Sequence, residues 1–258
     1  MTNPCIDVHF QTLSLPPPYA YAYTLQAELV EGSVDISLDW RYTDRDELSE
    51  EEIWEEGFTP DDDFQWQGSL PSVWKQTLER WIQETTLSSS EALPSSETNS
   101  MTITYTDAQG RVVKGRPANS QQWEYQLQEL VQGVYEAARR EHPLRLRYLN
   151  LDSPSQPVQI TMDISFLHRS FGITVQQPAR TQTESIAWKK LRPLLETLYL
   201  PDYETELSSQ KTPHQRGRYV DPGDGRWYQV GKAALNPGKK DVLFSLHQIM
   251  TEYAAYFA

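Results

Sequence analysis

The chain has 258 residues with 36 Asp and Glu against 23 Lys and Arg, a formal net charge of −13, and one cysteine, Cys5. A lone cysteine excludes an internal disulfide, a zinc ribbon and a thiol redox pair, and the acidic balance disfavours nucleic acid, whose phosphates reward basic surface. With 38% hydrophobic residues, no run approaching a membrane span and no basic, apolar leader at Met1–Asp7, the composition predicts a soluble, cytoplasmic protein without membrane association.

The first clear pattern is at the front. Tyr19, Tyr21, Tyr23, Leu25, Ala27 and Leu29 alternate with small or polar residues, Glu31-Gly32 offers a turn, and Val34, Ile36, Leu38, Trp40 and Tyr42 alternate again. Period two on both sides of a glycine predicts a β-hairpin with one buried face. After an acidic stretch, Pro71-Ser72 opens a predicted helix carrying Val73, Trp74, Leu78, Trp81 and Ile82. Thr85–Ser100 is rich in Ser, Thr and Glu and reads as a loop.

Met101, Ile103 and Tyr105 form a further strand, turned at Asp107–Gly110 into a return strand over Arg111–Lys114. Asn119 with Gln122 reads as a capping box for a helix through Trp123, Leu127, Leu130, Val134 and Ala138. Strands follow at Leu144–Tyr148, Val158–Phe166 and Phe171–Val175. Glu184–Tyr199 has helical spacing, with Pro193 expected to kink or break it. Residues 201–240 are irregular, with a turn at Asp221–Gly225. Asp241 is a cap for a last helix through Leu243, Leu246, Met250, Tyr253 and Phe257.

This order predicts an α+β fold, in which antiparallel β-hairpins alternate with amphipathic helices that cover one sheet face. The expected organisation is one domain over 1–258 with a serine-rich loop at 86–100; the alternative is a split into 1–86 and 101–258. Trp74-Lys75 with Leu78 echoes Trp188-Lys189 with Leu191, but that alone does not make a sequence repeat.

Charge is localised. Residues 44–63 hold eleven acids and one base, Arg45, a net charge of −10. Among and beside them lie Ile53, Trp54, Phe58, Phe64 and Trp66. Aromatic anchors beside carboxylates suit a basic, partly apolar partner: rings fill pockets while charge steers encounter. The candidate partner-binding residues are therefore Glu51, Glu52, Trp54, Glu55, Phe58, Asp61, Asp62, Asp63 and Trp66. The competing interpretation is a short solvated helix, capped by Ser49 and spanning Glu50–Glu56, whose Trp54 and Phe58 pack on their own core.

Other chemistry is poorly served. Asp61–Asp63 with a distant histidine would be needed for a metal-dependent hydrolase, yet three adjacent carboxylates converge only if the backbone turns sharply, and no EF-hand order is present. There is no His-x-x-x-His pair, no Gly-x-Ser-x-Gly elbow and no glycine-rich dinucleotide loop. Residues 211–240 carry a net charge of +5 and end in Gly238-Lys239-Lys240, which lacks the spacing of a phosphate-binding loop. Tyr19, Tyr21 and Tyr23 share a face and belong to a core edge more readily than to a stacking platform. The expectation is a non-enzymatic, cofactor-free interaction protein, an acidic adaptor, inhibitor or immunity-type binder of a basic protein. The alternatives are the hydrolase and a structural subunit joined through its sheet edges.

Overall fold

The computed structural model describes residues 3–88, 98–153, 155–238 and 241–256. It has an α+β fold of helices and antiparallel sheets. The chain packs as two units, Met1–Glu141 and His142–Ala258.

The first unit contains β1 (Cys5–Gln11), β2 (Tyr21–Glu28), β3 (Ser33–Tyr42), α1 (Glu50–Glu55), β4 (Phe64–Pro71), α2 (Ser72–Gln83), β5 (Leu87–Ser88), β6 (Ser100–Thr106), β7 (Val112–Pro117) and α3 (Ser120–Ala137). Its strands form one antiparallel sheet in the order β4-β3-β2-β1-β6-β7-β5. Strands on both sides of the serine-rich stretch share this sheet; residues 89–97 of that stretch lie outside the described residues. Alternate residues of the central strands, among them Ile6, Val8, Leu25, Ile36, Leu38 and Ile103, are buried. Helices α2 and α3 lie against β3, β4 and β7. Trp74, Trp81 and Trp123 meet edge to face, with centroids 6.0 and 5.7 Å apart. The Trp123 indole donates to Thr85 Oγ1 at 2.7 Å, which satisfies its polar atom in the core.

The second unit contains β8 (Leu144–Asn150), β9 (Val158–Ser165), β10 (Ser170–Gln177), β11 (Arg180–Ser185), α4 (Leu191–Leu198), β12 (Asp202–Tyr203), β13 (Arg218–Asp221), β14 (Tyr228–Gln229), β15 (Ala234–Leu235) and α5 (Val242–Tyr256). Its main sheet runs β11-β10-β9-β8-β13-β14, and β12 pairs with β15. Ile160, Met162, Ile164, Phe171 and Ile173 of this sheet form a core with Leu191, Leu194, Leu198, Leu246 and Met250 of α4 and α5.

The two units share one topology. In the main sheet of each, four strands in meander order (β1–β4, β8–β11) are followed by a helix (α2, α4), a later pair of strands (β6-β7, β13-β14) extends the sheet beside the first strand, and a helix (α3, α5) ends the unit, so that β1 pairs with β2 and β6, and β8 with β9 and β13. Trp74-Lys75 and Trp188-Lys189 fall where the helix after the fourth strand begins. The charge is split unequally. Residues 1–141 hold 25 acids and 9 bases, a net −16, while residues 142–258 hold 11 acids and 14 bases, a net +3.

Three local expectations are corrected. Glu184 and Ser185 belong to strand β11, opposite Ile173 and Gly172, so the stretch 184–199 is not one helix. Every residue of β11 is exposed, which erases the alternation that marks a half-buried strand. Pro193 does not kink the helix: it is the third residue of α4, where no intrahelical N–H bond is lost. Asn119 precedes α3 but its side chain makes no cap bond; its amide donates to Gln122 Oε1 at 3.2 Å instead. Asp241, by contrast, accepts from the Phe244 N–H at 3.0 Å, the N3 position of α5.

Candidate interaction surface

Helix α1 is only six residues long and is held at both ends. Ser49 Oγ accepts from the Glu52 N–H, and the Glu52 carboxylate accepts from the Ser49 N–H at 2.8 Å, a full capping box. At the other end Gly57, at φ 81°, adopts the left-handed conformation. Its N–H donates to the Trp54 carbonyl, and the Phe58 N–H donates to the Ile53 carbonyl, the two bonds of a Schellman ending. This frame fixes the rotation of the helix: Ile53 is buried at 4% exposure while Trp54 stands 58% exposed. Glu51, Trp54 and Glu55 lie at i, i+3 and i+4 and share the outer face. Removing the cap with Ser49→Ala should cost the helix about 1 kcal/mol. Amide exchange of α1 should then speed up roughly fivefold, with exchange in the central strands unchanged.

The following loop is tied to the sheet by Arg45. Its guanidinium stands 3.6 Å from the Tyr42 ring centroid and 4.8 Å from that of Phe58. Its Nη1 donates to the Thr59 carbonyl at 2.7 Å and to Asp62 Oδ2 at 3.1 Å. Asp62 also accepts from the Thr59 N–H and hydroxyl. Burial works to raise its pKa, but the Thr59 and Arg45 bonds outweigh burial and hold the carboxyl below its ordinary value. Asp63 accepts from the Tyr42 N–H at 2.8 Å. Glu56 accepts from the Tyr19 phenol, which raises the phenol's pKa.

The nine candidate residues therefore divide. Glu51, Trp54 and Glu55 are brought together on α1, and Asp61 is exposed in the loop beyond it; among the described residues none of these side chains makes a hydrogen bond or ion pair. Glu52, Asp62 and Asp63 are engaged by their own backbone and by Arg45. Phe58 is half-buried, edge-on to Tyr19 and Tyr42. Trp66 lies on β4, where its ring occupies the space above Gly68, and so serves the sheet edge. Phe58 thus packs on rings of its own unit, while Trp54 stands largely exposed. Among the described residues, no three His, Cys, Asp or Glu side chains are placed to share a metal ion, and no helix is long and apolar enough to cross a membrane. Lys239 and Lys240 lie outside the described residues.

The sequence reasoning missed a second feature. Phe10, Tyr23 and Trp40 are cross-strand partners, and their rings stack at centroid distances of 4.9 Å each. Tyr21 stacks on Trp40 at 4.3 Å, and Tyr42 continues the row toward Phe58 and Arg45. Between this row and α3 is a cleft of about 260 Å³, lined also by Asn99, Glu124, Gln128, Val131, Gln132 and Tyr135. Tyr23 is only 6% exposed, its phenol makes no hydrogen bond among the described residues, and burial drives its pKa far upward, keeping it a neutral donor. Glu124 accepts from Asn99 Nδ2 at 2.8 Å through one carboxylate oxygen. The available signal was the alternation of Ile6, Val8 and Phe10, which marks β1 and supplies the end of the ring row. The opposite face of the sheet carries polar side chains bonded to one another, across strands in Gln65–Asp39 and Gln67–Ser37 and along β3 in Arg41–Asp39.

No family model, curated protein or solved structure matches the chain.

Proposed function

We propose that the chain is a non-enzymatic interaction protein, an acidic adaptor, inhibitor or immunity-type binder, that engages a basic partner protein through residues 44–66. One observation carries this reading: two unpaired carboxylates, Glu51 and Glu55, flank the exposed Trp54 on a rigidly framed helix, in a unit of net charge −16. An exposed indole supplies the apolar anchor of a binding hot spot, and the surrounding field speeds encounter with a cation-rich surface. A solvated helix has no need of an outward tryptophan. Glu52, Asp62 and Asp63 position the surface rather than meeting the partner.

The test changes only the unpaired groups. A variant with Glu51→Gln, Glu55→Gln and Asp61→Asn keeps every internal bond of the segment and should retain its fold. With a basic protein that the wild-type chain retains from a lysate of its host as the probe, association of the variant should slow at least about tenfold at low salt, and the difference should shrink as salt rises. Trp54→Ala should raise the dissociation rate by roughly thirtyfold, the mark of a hot spot worth about 2 kcal/mol. Unchanged binding rates in both variants would refute the reading.

A further inference from the structure

The cleft beside α3 has the chemistry of a guanidinium seat. Among the described residues the chain builds such seats for its own arginines, two of them at Arg45 and Arg147. Arg45 lies over Tyr42 and Phe58 with Asp62 at 3.1 Å. Arg147 lies 4.6 Å from the Trp227 ring centre, with its Nε 2.7 Å from Asp221. Each joins aromatic rings to one carboxylate, the combination that suits a planar, weakly hydrated cation. The cleft repeats it with Trp40, Tyr21 and Tyr23 on one wall and Glu124 on the other, but no lysine or arginine lines it. Arg140 lies over Phe64, 4.5 Å from its centroid, and 5.8 Å from that of Tyr135, and is not part of the lining. Among the described residues, Glu124 keeps one carboxylate oxygen free of hydrogen bonds, and the Tyr23 phenol in the same cleft makes none. At about 260 Å³ the cleft is smaller than the roughly 300–1,000 Å³ usual for drug-sized ligands, and it fits one inserted side chain.

We infer that this cleft receives an arginine side chain presented by the basic partner, whose guanidinium pairs with Glu124 against the aromatic row. The inference rests on the proposed interaction function and names the chemistry that the partner must present. The charge of the unit, −16, favours such a group at every stage of approach.

The test is an NMR titration of the full chain with N-acetyl-arginine N-methylamide and with the citrulline counterpart, which has nearly the same shape but no charge. The arginine amide should give saturable shifts at the Trp40 indole. Citrulline should bind at least about tenfold more weakly, and Glu124→Gln should weaken the arginine amide to a similar degree. The variant changed at Glu51, Glu55 and Asp61 should bind the amide with nearly unchanged affinity. An arginine-selective titration beside unchanged partner binding in that variant would keep the cleft and overturn only the α1 surface. Equal binding of arginine and citrulline, no saturation, unchanged affinity in Glu124→Gln, or stronger binding of a neutral sugar such as maltose would each overturn the cleft assignment.

Discussion

Replacing Trp123 with alanine should destabilise the first unit by about 3–5 kcal/mol, the cost of deleting a fully buried large aromatic side chain. Trp123 is 0% exposed and closes the seam between α2 and α3 against Trp81. Its removal opens a void that rigid neighbours fill poorly, and it takes from the Thr85 hydroxyl the donor it accepts from, leaving only that hydroxyl's own bond to the Trp81 carbonyl. Urea unfolding followed by a probe of the first unit would report the loss as a lower midpoint with a similar slope. Trp123→Phe should cost less, because it keeps most of the ring volume. A loss below about 1 kcal/mol for the alanine variant would mean that the seam is not the packing centre of this unit.

Asp221→Ala should cost the second unit a similar amount, about 3–5 kcal/mol, for an electrostatic reason. Asp221 is 1% exposed. One of its oxygens meets Arg147, and the other accepts from the N–H groups of Gly223 and Gly225 at 2.9 and 3.1 Å. Both glycines have positive φ, so the carboxylate organises a turn that other residues would strain. Alanine leaves a guanidinium against Trp227 without its counter-charge and two N–H groups without an acceptor. Adding Arg147→Met to Asp221→Ala should recover part of the loss, because the uncompensated charge goes with it. If the double variant were as unstable as the sum of the two singles, the pair would not be coupled.

The parts legible in the sequence are those where one face meets a core and the other meets water. The alternations at Tyr21–Leu25, Val34–Leu38, Val158–Ile164 and Phe171–Val175 coincide with β2, β3, β9 and β10 for that reason. Strand β11 was illegible because no residue of Arg180–Ser185 is buried. In β4 the alternation is diluted by Gly68, which makes room for the Trp66 ring. The common topology of the two units left only the Trp-Lys echo, because a sheet covered by helices asks for apolar residues at certain positions and not for particular ones.

The candidate surface was half legible. Charge density identified the segment, and Ser49 with Glu52 signalled the helix. Which carboxylates remain free was not readable, since that depends on where Arg45, Thr59 and Tyr42 fall in space. The cleft was not readable either. Its stacked rings come from three strands, and its carboxylate and the Tyr135 ring from a helix more than eighty residues beyond Trp40.

In both units the strand made first is placed in the interior of the sheet. Val8 pairs with Leu25 on one side and with Ile103 on the other, and Leu149 pairs with Gln159 and Tyr219. During synthesis each opening strand therefore waits for a neighbour encoded far downstream, and only then does the sheet gain its full width. Such long-range closure slows folding relative to a sheet that grows outward from one hairpin. It also makes β1 the keystone of the first unit: without Cys5–Gln11, β2 and β6 have no strand between them, and the sheet falls into two narrow pieces.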